Sequence, residues 1–160
     1  MTEKTLVLIK PDGVQRALVG EVLQRFEKVG LKIVAMKMVK VDKDFAKKHY
    51  AEHVGKSFYA GLEQMITMGP LVAMVIEGVE AIALVRKMVG ATEPKSAAPG
   101  TIRGDFSHVS YGYADEKGIG IKNIVHASAD DKDAEKEVNL WFSEDEIHAY
   151  SNVHDVHTME

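Results

Sequence analysis

His126 is the residue in this chain best suited to covalent chemistry, and Lys10, Arg86 and Arg103 are the cations that such chemistry on a phosphate would need. A neutral imidazole nitrogen is a competent nucleophile toward phosphorus, and an unperturbed imidazole is largely neutral at cell pH. Its second nitrogen must be hydrogen-bonded to fix the tautomer. Ser128 and Glu137, both downstream, are the candidate orienters. Phosphate handling also needs positive charge that approaches several oxygens at once. Arginine brings a planar fork and lysine a point charge. Lys10 stands where an apolar run ends, a common place for ligand contacts in α/β proteins. Arg103 lies in the glycine-rich stretch Pro99-Gly100-Thr101-Ile102-Arg103-Gly104-Asp105. Taken singly, each has an ordinary alternative: a solvated cation, or a strand-end histidine satisfied by backbone.

Other groups carry weaker signals. His49 and His53 are four apart on a predicted helix and could face a metal. The intervening Tyr50, Ala51 and Glu52 do not follow the metalloprotease order, so a surface pair is the favoured reading. His154 and His157 fall in a polar tail, and His108 and His148 have no informative context. Tyr50 and Phe58 flank a junction between two predicted helices, where aromatics stack a base or staple the helices together; local pattern favours the staple. There is no Walker A motif, and Gly118-Ile119-Gly120 lacks the third glycine of a dinucleotide fingerprint.

These residues need elements to position them. Thr5-Leu6-Val7-Leu8-Ile9 reads as a buried strand, ended by a turn at Lys10-Pro11-Asp12-Gly13. Leu18, Val19, Val22, Leu23, Phe26 and Val29 recur at helical spacing, with Gly30 as the C-terminal cap. Residues 31–41 read as a second strand. Asp42 or Asp44 caps a helix through His49 and Tyr50, and Ser57 caps the next, which stops at Gly69-Pro70. Residues 71–76 form a third strand, and 81–89 a helix closed by Gly90. Residues 91–106 read as a long ordered loop, which inside a compact domain is usually functional. Residues 107–120 read as a second irregular region, folded as a hairpin. Residues 122–126 form a fourth strand; Ala134, Val138, Trp141 and Phe142 mark a helix preceded by Ser128, Asp130 and Asp131. Ser143-Glu144-Asp145-Glu146 has the form of a capping box for a short final helix, and the tail after Tyr150 lies on the surface.

Two strand-helix-strand halves suggest a single-domain, ferredoxin-like αβ sandwich; a doubly wound parallel sheet is the alternative. Length supports one domain with a real core: 160 residues, 46% hydrophobic and 28% charged. The formal net charge of −4 argues against a dedicated nucleic-acid binder. With no cysteine, disulfides and thiolate chemistry are excluded. The first apolar run is too short for a signal sequence and no stretch reaches membrane-spanning length, so the expected place is the cytoplasm, away from membranes.

The blocks together are far more specific than their parts. Thr5-Leu6-Val7-Leu8-Ile9-Lys10-Pro11-Asp12-Gly13-Val14, Pro99-Gly100-Thr101-Ile102-Arg103-Gly104-Asp105-Phe106 and Asn123-Ile124-Val125-His126-Ala127-Ser128 closely resemble the nucleoside diphosphate kinase family. So do His49-Tyr50, Phe58-Tyr59-Ala60-Gly61-Leu62 and Glu135-Lys136-Glu137-Val138-Asn139-Leu140-Trp141-Phe142, all collinear from Thr5 to about Tyr150.

The resemblance implies a ferredoxin-like sandwich with a four-stranded antiparallel sheet. It implies ping-pong transfer of a γ-phosphoryl group between nucleoside triphosphates and diphosphates through a phosphohistidine. His126 matches the phosphorylated histidine, and Ser128 and Glu137 its orienters. Lys10, Tyr50, Arg86, Thr92, Arg103 and Asn123 match positions around the phosphates, ribose and histidine, and Phe58 matches the base-stacking aromatic. It also implies Mg²⁺ carried mainly by the nucleotide phosphates and a homo-oligomer, hexamer or tetramer. A nucleotide-binding or regulatory module without phosphotransfer is the rival reading. The chain departs from the family pattern in a longer segment at 107–122 and in a tail without the usual aromatic ending.

Overall fold

The apolar run of the first strand is buried from both sides, and this decides the architecture. Leu6, Val7, Leu8 and Ile9 have no solvent exposure. Val7 and Ile9 join one hydrophobic cluster, Leu6 and Leu8 another. A strand alternates its side chains between faces, so such a run needs helices above and below the sheet. In the computed structural model, which describes residues 2–159, that is what surrounds β1 (Thr2–Ile9). With β2 (Lys32–Val39), β3 (Leu71–Val79) and β4 (Val125–Ala127) it forms a sheet in the order β2-β3-β1-β4. All pairings are antiparallel. Two split βαβ units therefore interleave, each inserting a central strand between the two strands of the other. The ferredoxin-like expectation holds, and the parallel alternative does not.

One face is covered by α2 (Val19–Lys28), through Val22 and Phe26, and by α5 (Ala81–Val89), through Ala81, Val85 and Val89. The other is covered by α3 (Lys43–His49), α4 (Tyr59–Thr67) and α8 (Asp131–Trp141), through Ala46, Ile66, Val138 and Trp141. Each fully buried aliphatic side chain of β1 contributes about 1.5–3 kcal/mol. The end of that strand, which carries Lys10, is thus a rigid platform.

Several local expectations hold. Gly30 follows α2 with φ +87°, the left-handed geometry of a helix C-terminus. Asp42 accepts a hydrogen bond from Phe45 N at the start of α3, Gly90 closes α5, and Asp130 caps α8. Glu144–Glu146 is a single 3₁₀ turn with the predicted capping box at Ser143.

Others need correction. The turn at Pro11-Asp12-Gly13 is a short helix, α1 (Pro11–Gln15), in which proline takes the first position, where its missing N–H costs nothing. Ser57 does not cap α4; Phe58 is its N-cap and makes no side-chain bond. The long loop holds a 3₁₀ turn (Pro94–Ser96) and α6 (Ile102–Phe106), capped by Thr101. The expected hairpin at 107–120 is a helix, α7 (Tyr111–Lys117), started by Ser110 and stopped by Gly118 at φ +62°. The tail forms α9 (Val153–Thr158), whose Asp155 is buried. Finally, the fourth strand is shorter than expected because Ile124 has φ +72°. A β-branched residue there is strained, and strand pairing starts only after it, at Val125.

Candidate active site

The strained Ile124 is the start of the site. Its N–H donates to Asp12 Oδ2 at 3.0 Å, and its carbonyl accepts from Lys10 N at 2.8 Å. The end of β1 and the first turn of α1 thus hold the kink in place. Beyond it, Val125-His126-Ala127 pairs with β1, with His126 opposite Leu8. His126 therefore sits on the central strand's flank, half-buried, at the wall of a cavity of about 830 Å³.

The imidazole is oriented from one side. His126 Nε2 lies 2.9 Å from both carboxylate oxygens of Glu137 on α8. Ser128 Oγ donates to Glu137 Oε2 at 2.7 Å and accepts from Leu6 N at 3.3 Å. Burial alone would push the Glu137 carboxyl up. The hydrogen bond and charge of His126, with the Ser128 hydroxyl, outweigh that and hold it below the usual carboxylate range. An ionised carboxylate only accepts, so Nε2 must carry a proton, which leaves the Nδ1 lone pair unused.

The three cations converge on one segment, residues 123–127. Lys10 Nζ bonds Asn123 Oδ1, with Met65 Sδ at 3.3 Å. Arg103 donates from Nε to Asn123 O at 3.3 Å, from Nη1 to Gly90 O at 3.0 Å and from Nη2 to Val125 O at 2.7 Å. Arg86 Nη1 donates to Ala127 O at 3.3 Å. Asn123 Nδ2 ties the segment to Thr92 O at 2.7 Å. A guanidinium has five N–H donors, so Arg103 keeps two for a ligand while bracing the strand. Desolvation lowers Lys10 to about 8, with Asp12 raising it and Arg103 lowering it further. Burial, then the charge of Arg86, lowers Arg103 to about 10, still charged at neutral pH.

Of the residues singled out from sequence, Lys10, Tyr50, Phe58, Arg86, Thr92, Arg103, Asn123, His126 and Glu137 line this one cavity. Ser128 is fully buried behind Glu137. Phe58 is 50% exposed at the rim, not a core staple, whereas Tyr50 is buried. Burial, with the charges of Glu137 and Asp12, drives the Tyr50 phenol well above its ordinary value, so it stays a donor.

The surface reading of His49 is wrong. His49 is 9% exposed and meets the His126 ring edge-on at 4.8 Å. Trp141 Nε1 donates to its Nδ1 at 3.2 Å. Burial, and then His126, lowers His49 to about 3, so it is neutral at any working pH. One signal could have found it: the apolar stripe Phe45, Ala46, His49, Tyr50 runs straight through it. Its partner in the proposed pair, His53, faces Phe58 instead, at 5.5 Å.

Among the described residues, one metal-competent group occurs, His49, His126 and Glu137, with donor atoms within 4.8 Å of one another. Two nitrogens and a carboxylate suit zinc chemistry rather than magnesium, which prefers oxygen in octahedral array. Around Lys10, Arg86 and Arg103 the wall is cationic, and the described residues place no further metal-competent cluster there.

An oriented imidazole in a cationic, partly apolar cleft on a ferredoxin-like sandwich defines a nucleotide-handling phosphotransferase. Comparison with known proteins narrows this. The family model described as nucleoside diphosphate kinase matches residues 3–147. A nucleoside diphosphate kinase of Pyrococcus furiosus is 52% identical over 96% of this chain and 91% of its own. One from Borreliella burgdorferi is 50% identical over 94% and 93%. Among solved structures, a transition-state mimic of the Borrelia burgdorferi enzyme with vanadate and ADP superposes with a TM-score of 0.94, at 48% identity over 98% of this chain and 96% of that one. A Halobacterium salinarum enzyme in complex with CDP gives 0.89, at 41% identity over the whole of both chains. The chain belongs to the nucleoside diphosphate kinase family.

Proposed function

We propose that this chain moves the γ-phosphoryl group between nucleotides through a phosphohistidine at His126. The observation that carries the reading is the pairing of Glu137 with Nε2, which leaves Nδ1 as the nucleophile. Nδ1 attacks the γ-phosphorus of a bound triphosphate in line. The N–P bond forms as the P–O bond to the β-phosphate breaks, and the diphosphate leaves with the electron pair. A second diphosphate then attacks the phosphohistidine, and the ring recovers its lone pair.

Lys10, Arg86 and Arg103 balance the charge spread over the equatorial oxygens, from positions fixed before substrate arrives. Asn123 and Thr92 hold Lys10 and the loop in register, and the Tyr50 hydroxyl is a further donor. Phe58 offers a face for stacking any base, so base selectivity on that side is low. The cationic lining suits a nucleotide that would bring Mg²⁺ in on its own phosphates, where the ion would supply further positive charge; among the described residues no carboxylate cluster is shaped to hold it. The ADP–vanadate and CDP complexes named for relatives favour the same occupant here.

The chain is further proposed to act in the cytoplasm, without nucleic-acid partners, as a homo-oligomer, hexamer or tetramer. Edge strand β2, with Met36 and Met38 exposed, offers surface for a second copy to cover. No described helix is long and apolar enough to cross a membrane.

Incubation with γ-labelled ATP and Mg²⁺ should leave acid-labile, base-stable label on the protein, and added GDP should remove it as labelled GTP. His126→Ala should abolish labelling while nucleotide still binds. Normal labelling of that variant would show that another residue is the acceptor, and no label on the wild type would favour a binding or regulatory module.

A further inference from the structure

The 107–122 segment, expected from sequence to exceed the family pattern, is built into the cleft wall. Tyr111, Asp115, Ile119 and Gly120 all line the cavity that contains His126. Tyr111 and Asp115 are four apart, so they share one face of α7. The helix is anchored at both ends. Tyr111 N donates to Glu93 Oε1 at 2.9 Å, and Lys95 N to Val109 O at 3.1 Å, which joins it to the loop that carries Arg103. At the far end, Gly120 abuts Gly61 on α4 backbone to backbone. A Cβ on Gly120 would lie 2.6 Å from Gly61 O, and one on Gly61 would lie 2.7 Å from Gly120 N. Gly61 is one turn from Phe58, the exposed aromatic at the rim.

The helix therefore runs from the cation cluster toward the stacking platform, spanning about 10 Å at ~1.5 Å per residue. Its polar groups on the cleft side are uncommitted. Among the described residues, neither the Tyr111 hydroxyl nor the Asp115 carboxylate has a hydrogen-bond or ion-pair partner. Tyr111 and Arg103 line the same cavity.

We propose that this segment is part of the substrate site, with Tyr111 donating its O–H to the nucleotide phosphates beside Arg103 and Asp115 accepting hydrogen bonds from the nucleoside. The inference rests on the proposed occupancy of the cleft by a nucleoside diphosphate. The chemistry fits the placement. A phenol O–H suits an anion, whereas a carboxylate can only accept and reads donors: ribose hydroxyls or the N–H edge of guanine. A carboxylate one turn away from the phosphate end avoids like-charge repulsion there.

Calorimetric titration of the full chain with GDP, UDP, 2′-deoxy-GDP and inorganic pyrophosphate, each with Mg²⁺, tests this. Tyr111→Phe should weaken GDP and pyrophosphate alike, by about tenfold, as expected for a lost bond to a charged acceptor. Asp115→Asn should weaken GDP about fivefold and leave pyrophosphate unchanged. A loss equal for GDP and UDP but absent with 2′-deoxy-GDP places the contact on the ribose. A loss confined to the two guanine nucleotides places it on the base. Tyr113→Phe, on the same helix but off the cavity, is the control and should bind as wild type. The proposal fails if neither variant shifts any affinity beyond about twofold. It also fails if Asp115→Asn binds GDP more tightly, since the carboxylate would then only repel. Labelling of His126 by γ-labelled ATP is followed in parallel, so loss of the kinase reading and loss of this one are separate results.

Discussion

Replacing Glu137 with glutamine removes one charge and changes almost nothing in shape. In the wild type the carboxylate takes Nε2–H of His126 at 2.9 Å and the Ser128 hydroxyl at 2.7 Å. Both are hydrogen bonds to an ionised acceptor, each contributing about 1.5–3 kcal/mol against about 1 kcal/mol for a neutral pair. The His126 bond strengthens as the ring gains positive character on phosphorylation, so the difference falls on the transition state and the covalent intermediate. The amide can still accept from Nε2–H, so orientation survives. The expected loss is about 1–2 kcal/mol of transition-state stabilisation, or roughly 5- to 30-fold in kcat/KM. Because Glu137 bonds none of Lys10, Arg86 or Arg103, nucleotide affinity should stay at the wild-type value. Single-turnover labelling with γ-labelled ATP reads the rate, and calorimetry reads the affinity. An unchanged labelling rate would refute the argument that the carboxylate selects and supports the reactive nitrogen. A loss entirely in affinity would refute it too, by placing Glu137 among the substrate contacts.

Lys10, lowered to about 8 against an ordinary 10.5, should lose its charge as pH rises through 8. KM for the diphosphate should then climb on the alkaline side while the structure becomes more stable, since the unfolded chain binds the extra proton between those two values; an alkaline-insensitive KM would contradict this. His49 carries the same sign in a lower window: its pKa falls from 6.5 to about 3, so the unfolded chain takes up a proton first and stability drops as pH falls through that window. His49→Gln should flatten the pH dependence of the urea midpoint between those values. Arg103→Lys cannot serve the carbonyls of Gly90, Asn123 and Val125 together, and should cost about 2–4 kcal/mol in urea unfolding besides weakening nucleotide binding. Wild-type stability in that variant would mean that water readily replaces the lost donors.

The sequence by itself determined the layers and the chemical inventory. Leu6 to Ile9 read as a buried strand in a sheet with at least one face covered, and the stripe of Val22 and Phe26 as a helix; the structure covers both faces. Caps at Asp42, Asp130 and Ser143 act within one turn, so local pattern reads them well. His126, its orienters and the cations were visible as residue types, and resemblance gathered them into one constellation. Tertiary structure alone decided the rest, because it turns on contacts between segments far apart in the chain. Ile124 accepts a left-handed backbone only because Asp12 and Lys10, more than a hundred residues upstream, hold both of its peptide groups. His49 has the same spacing on a helix whether it faces water or Trp141, and only packing buries it. The 107–120 segment became a helix rather than a hairpin once Ser110 could start it and Glu93 could fix its first turn. The carboxylate that α8 brings to Nε2 of His126 leaves Nδ1 without a carboxylate partner, and no spacing in the sequence records that geometry.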